Sequence, residues 1–175
     1  MKQMKLWMLA AILTLCGAAT AQAQTSYDYI ERAWDSDSLK VTETIKTLNE
    51  GDYTAINGTD TSDNGWIPLY NGWYVVTGNS AYKALSVEGT DVHLLIPDGM
   101  TLTVKHVKLE SGHKLTIHGQ SGDTGKLVAN NRNGFSDAAG IGGGDEAYGG
   151  VLVVQGGTIE AKGYVSYAPG IGGGD

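Results

Sequence analysis

The segment Gly140-Ile141-Gly142-Gly143-Gly144-Asp145 returns as Gly170-Ile171-Gly172-Gly173-Gly174-Asp175, and the match extends backwards to pair Ser136 with Ser166 and Ala138 with Ala168. Self-similarity at a period of about 30 residues marks stacked supersecondary units, none of which can bury its apolar side without a neighbour. The residue content points the same way. The 175 residues include 26 Gly and one Phe. So many glycines and so few bulky rings suit short strands joined by tight turns, and they do not suit a helical bundle.

From Trp66 onward the chain alternates short apolar runs with Gly, Asn and Asp. Trp73-Tyr74-Val75-Val76 and Ala84-Leu85-Ser86-Val87 open the series. Three longer units follow, beginning at Val92, Lys114 and Gly150, each reading strand, turn, strand, loop, short third strand. Three strands per unit is the plan of a parallel β-helix, in which alternate side chains point inward and stack on the unit before. Three internal columns are expected: Ile96, Ile117 and Val154; Leu102, Leu127 and Ile159; Leu109, Ile141 and Ile171. The units differ in length mainly within polar, Gly-rich segments, where a solenoid absorbs insertions without losing strand register.

The first residues read differently. Lys2 and Lys5 precede the apolar run Leu6–Cys16, and the small-residue site Ala21-Gln22-Ala23 follows. This is the layout of a secretory signal peptide over 1–23, too short for a membrane span. Cys16 is the single cysteine; acylation there would make a lipoprotein, but Leu15 occupies a position where such sites want a small residue. Cleavage after Ala23 leaves a chain with no cysteine, so neither a disulfide nor a cysteine nucleophile is available to it. Without Lys2 and Lys5, 10 basic residues face 19 acidic ones, a net −9. Such a surface repels nucleic acid and anionic lipid, and neither is expected as a partner.

Residues 24–66 read as an N-terminal cap. Within them Leu39–Leu48 fits both strand alternation and a helical face, and its Thr content favours strand. An open coil end exposes apolar side chains and unpaired backbone groups, and the Tyr and Trp of this segment suit a cover. Residues 67–175 are assigned to the β-helix repeats. The chain stops in mid-repeat on Asp175, which reads as a truncated C-terminal end.

The runs Trp73–Asn79, Val92–Gly99, Lys114–Gln120 and Gly156–Ala161, together with the Ala-Gly-Ile-Gly-Gly-Gly motif, resemble a group of secreted repeat proteins of gut bacteria. The resemblance covers about residues 70–175. It implies a right-handed, pectate-lyase-like β-helix on an exported, often surface-displayed protein of adhesin-like or carbohydrate-associated character. It carries no catalytic motif across.

Several residues are candidates for chemistry. Gly140, Gly143 and Asp145 partly fit a calcium-binding Gly/Asp nonapeptide, but Ile141 replaces one glycine and the period is wrong. A tight turn where no Cβ fits is the preferred reading, and no cofactor or metal is expected. Asp98, Asp123, Asp137, Asp145 and Glu160 are the acids a polysaccharide lyase or hydrolase would need on one face. Most occupy turns, where Asp is common for its local hydrogen bonds. His93, His106, His113 and His118 read as scattered surface residues rather than ligands, because they occupy different positions in the aligned units. Tyr148, Tyr164 and Tyr167 lie in loops along one flank and could stack on sugar rings. Trp66 and Trp73 could do the same or could fill the first coil. The expectation is an exported, non-catalytic β-helix scaffold that meets glycan or a host or cell-surface protein through these loops. The alternative is a glycan-active β-helix enzyme.

Overall fold

The computed structural model describes residues 26–164 and 168–174. The expected signal peptide, Tyr167 and Asp175 lie outside the described residues. The described chain is all-β. A hairpin comes first, β1 (Tyr27–Asp35) pairing antiparallel with β2 (Lys40–Leu48). Five windings follow, each of three short strands: β3 (Tyr53–Ile56), β4 (Thr59–Asp60) and β5 (Trp66–Leu69); β6 (Gly72–Val76), β7 (Ser80–Tyr82) and β8 (Ala84–Val87); β9 (Val92–Leu95), β10 (Thr101–Val104) and β11 (His106–Lys108); β12 (Lys114–His118), β13 (Lys126–Asn130) and β14 (Ile141–Gly142); β15 (Val151–Val154), β16 (Thr158–Lys162) and β17 (Ile171–Gly172). Corresponding strands pair in parallel into three five-stranded sheets: sheet I holds β3, β6, β9, β12 and β15; sheet II holds β4, β7, β10, β13 and β16; sheet III holds β5, β8, β11, β14 and β17. The expected boundary at 66/67 falls inside the first winding, whose strands begin at Tyr53. Among the described residues no helix is long and apolar enough to cross a membrane.

The period of two along each strand explains the core. Ile117 pairs with Val154, Leu102 with Leu127 and Leu127 with Ile159, and Ile141 with Ile171, as the alternation of apolar residues requires. Two columns differ from expectation. Ile117 sits beside Leu94 rather than Ile96, and Ile141 beside Val107 rather than Leu109. Both displacements are two residues. Ile96 and Leu109 therefore still face inward and are buried in the same core, one column along. A slip of one would have turned them to solvent.

The repeated glycine motif forms the third strand and the turn after it. Ile141 points into the tube and is fully buried, while Gly142 takes φ +140° and Gly172 φ +148°. A Cβ on Gly142 would lie 1.7 Å from the Gly172 carbonyl oxygen, and one on Gly143 would lie 1.9 Å from that of Ala147. The windings stack backbone on backbone here, which leaves room for hydrogen alone.

A second, smaller core lies outside the tube. Tyr27, Tyr29 and Leu48 of the hairpin pack on Val75 and Leu95, which face outward from sheet I, with Tyr53 and Trp73 beside them. β1 runs across the windings rather than along them. It meets Tyr53 in the first, Trp73 in the second, Gly119 after β12 and Gln155 after β15.

Candidate functional site

Two outer faces of the solenoid carry side chains that could do chemistry. The first is on sheet III. Trp66 and His106 project outward from β5 and β11, in one column with the small Ala84 of β8 between them. The loop 131–140 folds over this column. It is shaped by Asn131, which is fully buried: its Nδ2 donates to the carbonyls of Phe135 (2.9 Å) and Ala138 (2.7 Å), and its Oδ1 accepts from the Phe135 N–H (2.6 Å). The loop thereby sets the Phe135 ring edge-on to Trp66 at 5.0 Å and tilted over His106 at 5.5 Å. Lys83 Nζ lies 5.3 Å over the same ring. The result is a groove of about 310 Å³, floored by Trp66, His106 and Phe135 and rimmed by Lys108, Ser136 and Asp145.

His106 is a neutral hydrogen-bonding group in this setting. Its Nδ1 lies 2.7 Å from the Ala139 carbonyl, which can only accept, so Nδ1 carries the proton. Burial pushes its pKa down, against smaller upward pulls from the Ala139 backbone and Glu110. Lys108 is 3.4 Å from Glu110. Asp145, the calcium candidate, is exposed at the groove's edge. Among the described residues no group of three or more His, Cys, Asp or Glu converges as a metal site would require.

Two of the aromatic candidates flank this sheet. Tyr148 is 84% exposed in the loop between β14 and β15, and Tyr164 is half-buried in the loop between β16 and β17, its N–H donating to the Ala138 carbonyl. Trp66 lies in the groove itself. Trp73 does not join them. It is on sheet I, covered by Tyr29 at 4.6 Å and stacked on His93 at 4.4 Å. Phe135 and Lys83 escaped the sequence reading. The one Phe in the chain, placed in a polar loop where a core role is hard to imagine, was the available signal.

Two of the acids, Asp98 and Asp123, are held in the turns between sheets I and II. Asp98 accepts from the N–H groups of Gly122 and Thr124, both at 2.9 Å, and from the Thr124 hydroxyl. Burial raises its pKa, but these hydrogen bonds outweigh it and hold the carboxyl below the ordinary value. Asp123 repeats the arrangement one winding later, accepting from Gly157 N–H at 3.1 Å and from Arg32 at 3.0 Å. Glu160 pairs with Lys126 at 2.8 Å. Asp137 takes φ +53° beside Ser136, whose hydroxyl donates to it.

The second face is the covered side of sheet I, and it corrects the reading of the histidines as surface residues. His106 and His118 are buried, at 2% and 3% exposure. His93 and His118 are neighbours, His93 Nδ1 to His118 Nε2 being 3.0 Å. Strand register brings them together: Thr116 pairs with His93, so His118 lies two residues along the same outward face. Burial, and then the adjacent His93, push the His118 pKa down to about 4, against upward pulls from the Ile30 backbone and Glu31. Their different positions in the sequence units concealed this, because the first units were aligned two residues out of register.

No family model matches the chain, and no curated protein or solved structure matches it either.

Proposed function

We propose that this chain is an exported, right-handed parallel β-helix, with the hairpin preceding the windings laid on the side of sheet I, that serves as a surface or adhesion scaffold and binds glycan in the groove on sheet III. The observation that carries the reading is one groove holding two half-buried aromatic rings, Trp66 and Phe135, with a rim of Lys108, Ser136 and Asp145. Flat ring faces suit the apolar faces of a sugar, and a few converging polar groups fix its orientation. A neutral His106 adds a hydrogen-bonding group without the desolvation cost of a charge. The signal-peptide layout of residues 1–23 supports display outside the cell, where glycans of a host or of other cells are the partners at hand.

The placement of the acids supports binding over turnover. Glycoside hydrolysis uses two carboxyl groups about 5–10 Å apart across the scissile bond. Here Asp98, Asp123 and Glu160 are engaged in turn and cross-strand bonds, and Asp145 is the single carboxylate among the described residues lining the groove.

A glycan array followed by titration calorimetry on the full chain tests this. Trp66→Ala should weaken the best ligand by about ten-fold or more, equivalent to about 1.4 kcal/mol, and leave the unfolding midpoint nearly unchanged. Absence of binding on the array, together with turnover of a polysaccharide, would replace the scaffold with an enzyme.

A further inference from the structure

We propose that the β1–β2 hairpin is an acid-released latch, held on sheet I by the His93–His118 pair beneath it and freed when both rings carry protons. The contact itself sets the condition. Two imidazole nitrogens 3.0 Å apart make a hydrogen bond only if one is an N–H and the other a bare acceptor. With a proton on each, two N–H groups and two positive charges face one another, one of them on a buried ring.

The surroundings decide how many protons the site accommodates. His93 Nε2 lies 3.3 Å from Asp91, at the turn before β9, and Lys114 of β12 lies 3.7 Å from the same carboxylate. A proton on that side of His93 therefore faces an acceptor. His118 has no carboxylate in contact: its Nδ1 is buried and makes no hydrogen bond of ordinary geometry, and the Ile30 backbone is the strongest influence favouring its charged form. From the hairpin, Glu31 of β1 is near enough to be influenced by both rings, but it is bonded to Lys46 of β2. Tyr29 contributes a ring rather than a charge, edge-on to His118 at 5.1 Å. One proton is tolerated; a second meets only the weaker pulls of the Ile30 backbone and Glu31, which burial and the first charge outweigh.

The hairpin is attached by little else along this stretch. Ile30 N–H donates to the Gly119 carbonyl, Gln120 Nε2 donates to the Asp28 carbonyl, and Arg32 reaches Gln155 and Asp123. The apolar contact is Tyr27, Tyr29 and Leu48 on Val75 and Leu95. Repulsion directly under Tyr29 acts at the centre of that contact. The tube does not depend on it, because its interior columns lie on the other face of sheet I. Release of the hairpin uncovers Trp73, Tyr53, Val75 and Leu95, an aromatic and aliphatic strip hidden at neutral pH.

Amide hydrogen exchange on the full chain, corrected for the intrinsic pH dependence, tests the latch. Protection in β1 and β2 should fall by about ten-fold or more between about pH 7 and pH 4.5, while β12 and β13 stay better protected than the hairpin throughout. His118→Gln should flatten that dependence, and His93→Gln should reduce it, since it removes the second charge but leaves His118 buried. Should His118→Gln fail to fold, the half-buried His93→Gln serves alone. The latch is wrong if hairpin protection is flat over this range, if hairpin and windings are equally protected at pH 4.5, or if the transition is unchanged in the variants. None of these outcomes bears on glycan binding at sheet III, which lies on another face.

Discussion

Gly142 and Gly172 occupy equivalent positions in successive windings, yet their surroundings differ. A Cβ on Gly142 would strike the Gly172 carbonyl oxygen, whereas one on Gly172 would meet Pro169 Cγ at 3.2 Å. Both would also strain a positive φ. Gly142→Ala should therefore destabilise the chain by roughly 3 kcal/mol or more, as a backbone clash adds to conformational strain. Gly172→Ala should cost about 1–2 kcal/mol, mostly strain; paired urea unfolding curves distinguish the two. His118 supplies the second prediction at this scale. The folded chain holds it neutral, with a pKa near 4 against an ordinary 6.5. The unfolded chain therefore takes up the proton first as pH is lowered. Between about pH 6.5 and 4 the unfolded state binds more protons, so stability falls on acidification through that window and is unaffected above it. The full effect is roughly 3 kcal/mol. It is read as a urea midpoint that declines below pH 6.5 in the natural chain and declines less in His118→Gln, where the buried His106 still contributes. Asp98 works in the same direction at lower pH, since its depressed pKa confers stability that is lost only as pH falls through the carboxylate range.

Among the elements, the short third strand and the hairpin behave in opposite ways. β11, β14 and β17 are two or three residues long and could not stand alone. Each is held by parallel pairing with its predecessor and by one inward aliphatic residue: Val107, Ile141, Ile171. Their contribution depends on having a winding on both sides. Ile141 is 0% exposed and Ile171 is 54% exposed. Ile141→Ala should cost about 2–5 kcal/mol, the range for a buried aliphatic truncation. Ile171→Ala should cost less than about 1 kcal/mol, since much of that side chain already meets water. Equal losses in thermal unfolding would mean the described end of the tube is covered in solution. The hairpin instead has its own ladder of nine residue pairs and reaches the solenoid through side chains. Its tip carries exposed Trp34, Leu39 and Val41, which the windings do not cover.

At the scale of the whole molecule, the two ends of the tube are unlike. In the first winding Ile56 and Leu69 are 3% and 0% exposed, whereas Val154 in the fifth is 50% exposed. The repeat, the three strands per unit and the pairing of Ile117 with Val154 were legible from residue pattern alone. A period of two within strands and about 30 between units leaves few ways to bury every aliphatic residue. Column membership at Ile96 and Leu109 was not legible, because a two-residue shift keeps the same face and the same apolar character. The first winding was missed because Thr54, Thr59 and Asp60 carry little apolar signal; neighbours, not composition, make those segments strands. The groove was half legible: Trp66 and Asp145 were singled out as separate candidates, and Phe135 joins them only through a loop shaped by a buried Asn131. What the amino-acid order determined by itself is local and periodic: where strands turn, which residues face inward, where no side chain fits. Tertiary structure alone decided what meets across windings. His93 and His118 touch, and Trp73 lies covered, because parallel register sets residues about 20–25 positions apart side by side, and no local pattern encodes which outward residues will share a column.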